Sequence, residues 1–152
     1  MVFISRGNLI MLTSRFSLIS LLGLLLLCSG CAAKSDSLYQ QLGSHNGVSQ
    51  ITDSFLQNLA KDPLIAHHFE QTDIHVFRQR LIEHLCVVSG GDCVYKGESM
   101  FDSHVGLHIS QADFDAVVGH LIDALKQQHI PIATRNALLA KLAPMYQDIT
   151  YH

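Results

Sequence analysis

Tryptophan is absent from this 152-residue chain, proline occurs only three times, and 15% of residues are charged. Aromatics make up 7%, so the core must be built mainly from aliphatic side chains. Basic runs are also missing. Lysine and arginine number 10 against 13 acids, for a net charge of −3. That balance leaves no electrostatic footprint for nucleic acid and argues against it as a partner. No stretch alternates apolar and polar residues, so nothing reads as a half-buried strand. Internal repeats and low-complexity tracts are lacking as well.

Histidine is abundant, with ten residues, and so is leucine near the start. Residues 12–27 are mostly apolar, with Arg6 and Arg15 before or near their start. The run Leu21-Leu22-Gly23-Leu24-Leu25-Leu26-Leu27 has the length of a secretory signal core and is short for a membrane span. Met11 is a second possible start, with Arg15 as its positive flank. The run closes on Leu27-Cys28-Ser29-Gly30-Cys31-Ala32. This ending resembles a bacterial lipobox, in which small residues precede a cysteine that is lipidated after cleavage. Cys28 departs from it, standing where a larger aliphatic is usual.

These features predict a lipoprotein-type signal peptide over 1–30, with Cys31 as the lipidated mature N-terminus. A short tether over 31–37 and one domain over 38–152 follow. An ordinary cleaved signal and a retained anchor helix are the alternatives. Export is expected in each case, as a membrane-anchored lipoprotein facing the periplasm or as a soluble periplasmic protein. Cleavage would remove two arginines and no acid, making the mature chain more acidic. What remains suffices for one core. With Cys28 removed and Cys31 carrying lipid, the cysteines left are Cys86 and Cys93, which flank Val-Val-Ser-Gly-Gly-Asp. In an oxidising compartment a disulfide is expected. Metal-binding thiols are the alternative, although the spacing matches no zinc pattern.

Within the mature chain the apolar residues recur at helical spacing. Leu38-Tyr39-Gln40-Gln41-Leu42 reads as a helical stub stopped by Gly43. Val48, Ile51, Phe55, Leu56 and Leu59 predict a helix with one buried face. Pro63 ends it by forcing Asp62 out of the helical region. Pro63 to Phe69 reads as one short turn of helix. Thr72 is expected to cap a helix whose apolar face is Ile74, Phe77, Leu81, Leu85 and Val88, and Gly90-Gly91 stops it. Residues 92–99 have no periodicity and read as a loop. Ser110-Gln-Ala-Asp113 has the form of a capping box, with Asp in place of Glu. It opens the clearest helix, with the stripe Phe114, Val117, Val118, Leu121, Ile122 and Leu125. Pro131 suits the first turn of a last helix, which Pro144 should kink or end. The fold class is all-α.

Several motifs carry a resemblance when taken in order. They are Leu-Tyr-Gln-Gln-Leu-Gly (38–43), Asp-Pro-Leu-Ile-Ala-His-His-Phe (62–69), Ser-Gly-Gly (89–91), and Tyr95-Lys-Gly97 with Met100. Ser-His-Val-Gly-Leu-His-Ile (103–109), Phe-Asp-Ala-Val-Val-Gly-His-Leu (114–121) and Leu-Ala-Pro (142–144) complete the set. Together they resemble a group I truncated haemoglobin over Leu38 to about Thr150. The resemblance implies a globin-like, two-over-two helical sandwich holding haem b. It implies His104 as the proximal ligand of the haem iron and Phe69 as the aromatic that wedges against the haem. Thr72, Phe77, Leu81, Tyr95, Met100, Ile109 and Phe114 fall on family haem contacts. Gly43-Ser44 stands where the family has a glycine pair.

The chemistry follows from these positions. A gas-binding haem needs one strong protein ligand, which a neutral imidazole supplies. The other ring nitrogen is expected to donate a hydrogen bond, best to a backbone carbonyl. The family usually places a tyrosine over the iron; here that position is Leu56, and Phe77 and Leu81 complete an apolar distal pocket. Such a pocket suits NO or CO binding, or fast O₂ exchange, and disfavours NO dioxygenase activity. Tyr146, Gln57 and His84 are candidate donors from elsewhere. Arg80 falls where some relatives have a distal ligand, but its guanidinium stays protonated. Arg78 and Arg80 read as partners for haem propionates or as solvated charges.

Blander readings apply to the other histidines. His104 and His108 would pair as zinc ligands only on a continuous helix, which Gly106 weakens. His67, His68 and His75 are expected to face solvent, and His120 to lie near the edge of its helix's apolar stripe. The functional expectation is a haem globin that reversibly binds O₂, NO or CO. An unidentified reductase would keep it ferrous, and a lipid anchor would be its only membrane contact. A haem-based redox or gas sensor is one alternative. Another is a haem-free helical lipoprotein that binds divalent metal or a protein partner.

Overall fold

The computed structural model describes residues 36–150. The expected signal peptide, Cys31 and the tether as far as residue 35 lie outside the described residues. Every regular element among the described residues is helical, and none of these helices is long and apolar enough to cross a membrane.

The chain enters through α1 (Leu38–Gln41), where Ser37 and Gln40 form a reciprocal capping box. Gly43 stops it in the left-handed region at φ 88°. Ser44 follows at φ 55°, in the conformation a second glycine would adopt without strain. Helix α2 (Ser44–Lys61) then buries Val48, Ile51, Thr52, Phe55 and Leu59. Gly47 in its first turn has no room for a side chain, since a Cβ there would lie 2.0 Å from the Leu42 carbonyl oxygen. The helix ends at Asp62, whose extended backbone is the one Pro63 requires.

Helix α3 (Pro63–Ala66) and a 3₁₀ turn (His67–Phe69) lead to α4 (Ile74–Val88). The cap of α4 is Asp73, not Thr72. Its carboxylate accepts from the N–H groups of His75 and Val76 at 2.9 and 3.1 Å. The Thr72 N–H is bound to the Phe69 carbonyl, so Thr72 closes the preceding turn. The buried face of α4 also differs from the expected one: Ile82, Leu85, Cys86 and Glu83 are buried. Phe77, Leu81 and Val88 are half-buried, and Ile74 is exposed. The helix has two apolar sides: one enters the core, and from the other Leu81 and Val88 pack against its edge.

Cys86 and Cys93 are joined by a disulfide with their Cα atoms 6.1 Å apart, within the ordinary range for such a bridge. After the loop comes a short helix that periodicity does not reveal, α5 (Met100–His104), capped by Ser99. Helix α6 (Gln111–Gln127) opens with the expected box: the Ser110 hydroxyl accepts from the Asp113 N–H, and the Asp113 carboxylate from the Ser110 N–H. Pro131 sits one residue ahead of α7 (Ile132–Leu142). Pro144 ends that helix in a 3₁₀ turn (Ala143–Met145), from which α8 (Tyr146–Ile149) follows.

Helix α2 packs on α6, and α4 packs on both α2 and α7. Two helices thus lie over two, and Leu42, Ile51, Ile65, Leu125 and Leu138 are fully buried between them. Helix α5 packs against α8, and α3 against α6.

Candidate functional site

His104 is the last residue of α5 and is half-buried. Its Nδ1 lies 2.7 Å from the Met100 carbonyl oxygen and 3.0 Å from the Ser103 hydroxyl. The Ser103 hydroxyl is within donating distance of the Ser99 and Met100 carbonyls, so towards His104 it acts as an acceptor. Both neighbours therefore call for a proton on Nδ1. The lone pair is left on Nε2, where a metal can use it. The helix stops just beyond: Val105 is extended, Gly106 is at φ 83° and His108 at φ 52°. His108 is exposed and off the helix, so the two-histidine zinc pair does not form. No group of three or more His, Cys, Asp or Glu side chains among the described residues could hold a metal ion.

The expected distal residues come from α2, the 3₁₀ turn and α4. The rings of Phe69 and Phe77 lie 5.2 Å apart, tilted by 44°. Leu56, Phe69 and Leu81 are half-buried and pack on the edge of the core. A cavity of about 280 Å³ is lined by Leu56, Leu59, Ala60, Ala66, Phe69, Glu70 and Ile74. It takes in Leu56 and Phe69 from the expected wall but not Phe77 or Leu81.

A second grouping forms around the loop after α4. The Tyr95 ring sits edge-on to His84 at 5.4 Å. Burial pushes the His84 imidazole below its ordinary pKa and the Tyr95 phenol above its own, so both rings stay uncharged near neutrality. Glu83 holds this loop in place, a role not visible in the sequence. Its carboxylate accepts from the Arg80 guanidinium at 2.8 Å, the Gln79 amide at 3.1 Å and the Lys96 N–H at 3.1 Å. These bonds, that of Arg80 foremost, lower its pKa to about 2. An acid flanked by Gln79 and Arg80 at helical spacing was the available signal. Arg78 is bound to Asp53 by two hydrogen bonds. Each arginine, read from the sequence as a propionate partner or a solvated charge, has a carboxylate partner in this structure.

Around α5, Phe114 lies in the first turn of α6 with its ring edge-on to Tyr146 at 4.8 Å. Ile109 is buried, and Met100 and Thr72 are half-buried. Of the candidate donors, Tyr146 is engaged with Phe114, His84 with Tyr95, and Gln57 is exposed.

His68 departs from expectation. Its side chain is only 15% exposed, with Nε2 3.8 Å from an Asp113 carboxylate oxygen. It turns inward because α3 packs on α6 and brings the two together. His67 and His75 are exposed, as expected. His120 binds the Asp62 carboxylate at 2.8 Å, which ties α6 to the junction of α2 and α3 and lowers that acid's pKa.

The half-buried imidazole of His104, with its proton held on Nδ1 and a lone pair left on Nε2, is a donor that a haem iron can use. The profile of the bacterial-like globin family matches residues 37–151. This chain belongs to that family. The globin is 27% identical over 117 residues to the group 1 truncated haemoglobin GlbN of Mycolicibacterium paratuberculosis, covering 77% of this chain and 86% of that one. It is 28% identical over 109 residues to the corresponding protein of Nostoc commune, covering 72% and 92%. Its fold matches the Fe(III) form of truncated haemoglobin from Tetrahymena pyriformis with a TM-score of 0.74 and 24% identity, over 77% of this chain and all of the other. The haemoglobin of Chloroflexus aurantiacus matches with a TM-score of 0.68 and 21% identity, over 78% and 100%.

The cofactor of the globin is haem, and the donor set fits it. One imidazole with its proton held on Nδ1 suits an iron whose remaining protein-independent ligands would come from a macrocycle. A bare divalent ion would need the further protein ligands that the described residues do not assemble.

Proposed function

We propose that His104 supplies the one protein ligand to the haem iron, and that the globin reversibly binds O₂, NO or CO on the opposite side. The carrying observation is the bond from Nδ1 to the Met100 carbonyl. It orients the ring and raises the basicity of Nε2. The haem supplies a redox-active iron with one coordination position open to a gas. On this reading Phe69, Thr72, Phe77, Leu81, Tyr95, Met100, Ile109 and Phe114 enclose the haem.

Leu56, Phe77 and Leu81 form the distal wall and present no hydrogen-bond donor to a polarised diatomic. The globin is then built for rapid gas exchange rather than for retention of O₂, and NO dioxygenation is inefficient in it. A reductase is required to keep the iron ferrous. We place the globin outside the cytoplasm, tethered by lipid on Cys31. The disulfide supports that placement, since such bonds persist in oxidising compartments.

The purified protein should take up one haem and show a ferrous Soret band that His104→Ala shifts or abolishes. An alanine variant that keeps the wild-type ferrous spectrum would remove His104 from this role.

A further inference from the structure

We propose that the end of the domain around α1 rests on the lipid bilayer, with Val87, Val94 and Ile132 seated at its surface. The proposal depends on the lipid-anchor reading of Cys31. The structure brings the segments that carry these exposed side chains to the point where the chain enters the fold. The Tyr39 N–H donates to the Ser89 carbonyl at 3.0 Å, which puts α1 beside the end of α4 that carries Val87. The disulfide joins the neighbours of the two valines, Cys86 and Cys93. The Thr134 hydroxyl donates to the Gln41 amide oxygen at 3.1 Å, which brings the first turn of α7, and Ile132 with it, to α1.

These side chains are not covered by the fold. Val94 and Ile132 are 72% and 66% exposed, more than any other large apolar side chain described, and Val87 is 42% exposed. Residues of this type at one place mark a contact surface more often than a solvated one.

The tether selects the partner. From Cys31 to Leu38 a fully extended chain spans roughly 25 Å, and any other conformation is shorter. Helix α2 runs away from α1 for 18 residues, about 27 Å. With acyl chains on Cys31 inserted in a bilayer, the tether keeps the α1 end within roughly 25 Å of the membrane and so favours it over the α3 end. Asp36 and Asp92 share the α1 end with Lys96 and Arg135, so no basic cluster attracts anionic headgroups. Three aliphatic side chains are also too few to bind alone. The contact is apolar, and the anchor brings it about.

The test uses the full-length protein as exported, reconstituted in phosphatidylethanolamine–phosphatidylglycerol vesicles. These contain a phospholipid with a photoreactive diazirine at the headgroup-proximal end of its acyl chain. Intact mass establishes whether Cys31 is acylated. Photolysis and peptide mapping then compare the segments bearing Val87, Val94 and Ile132 with the one bearing Leu64. Leu64 is the control, since it is 53% exposed at the far end of α2. Labelling at the first three should exceed that at Leu64 by about fivefold or more, and Val94→Asp with Ile132→Asp should remove the excess. An unchanged Soret band would show that the variant is folded. Acylated protein labelled equally at Leu64, or at neither end, overturns the surface and leaves the anchor standing. An unacylated Cys31 overturns the anchor, and the placement with it.

Discussion

Replacing Leu56 by tyrosine tests the distal reading most directly. Leu56 is half-buried on α2, and its side chain borders a cavity of about 280 Å³ whose lining is otherwise nearly all apolar. A phenol ring can extend into that space without displacing the core behind it. Its hydroxyl would be the first donor on the distal wall. A hydrogen bond to a charged or strongly polarised acceptor contributes about 1.5–3 kcal/mol. At about 1.4 kcal/mol per tenfold change in rate, O₂ dissociation should slow by roughly one to two powers of ten. CO, which is less polarised, should respond far less. Stopped-flow displacement of O₂ by excess CO measures the rate, and Leu56→Phe separates ring volume from the hydroxyl. If Phe slows release as much as Tyr, the effect is steric. If wild type already holds O₂ tightly and Tyr changes nothing, a donor outside Leu56, Phe77 and Leu81 serves the pocket and the reasoning fails.

Three further outcomes concern the scaffold. The folded-state pKa of Glu83 is held at about 2, below the ordinary 4.5. Its ionised form therefore contributes stability above the ordinary value, and that contribution is lost as pH falls through about 4.5 towards 2. Thermal melting of Glu83→Gln should fall less steeply over this window than wild type, and identical slopes would remove Glu83 as the anchor of the loop. In the first turn of α2 two changes should act in opposite directions by denaturant titration. Ser44→Gly relieves a left-handed backbone and should stabilise by about 0.5–1 kcal/mol, whereas Gly47→Ala drives a Cβ into the Leu42 carbonyl and should destabilise by at least about 2 kcal/mol. The Thr52 hydroxyl is fully buried on α2 without a hydrogen-bond partner, so Thr52→Val should stabilise by about 1 kcal/mol in the same assay; a loss of stability would mean the hydroxyl is satisfied.

Much of the fold is legible along the chain because its signals are local. Pro63 acts on Asp62, Gly43 on the residue beside it, and Ser110 and Asp113 cap one another within a single turn. The spacing of apolar residues on α2 and α6 needs no knowledge of what those helices touch. The histidine at 104 is likewise legible, through motifs whose order carries a family resemblance. Its hydrogen bond to Met100 is also local, one helical turn back in the chain.

Tertiary structure decided what depends on distance through space. Periodicity marks α4 as apolar, but its position between α2 and α7 selected Ile82, Leu85 and Cys86 for the core and left Phe77 and Leu81 at its edge. Arg78 found Asp53, 25 residues away, and His120 found Asp62, 58 residues away. The packing of α3 on α6 buries His68, which reads as solvated, with its Nε2 3.8 Å from Asp113. Glu83 became an anchor because the disulfide-closed loop returns the Lys96 N–H to α4. Charged and polar side chains are promiscuous in sequence, since many partners would satisfy each of them. Only packing brings one of those partners within about 3 Å, where a hydrogen bond can form.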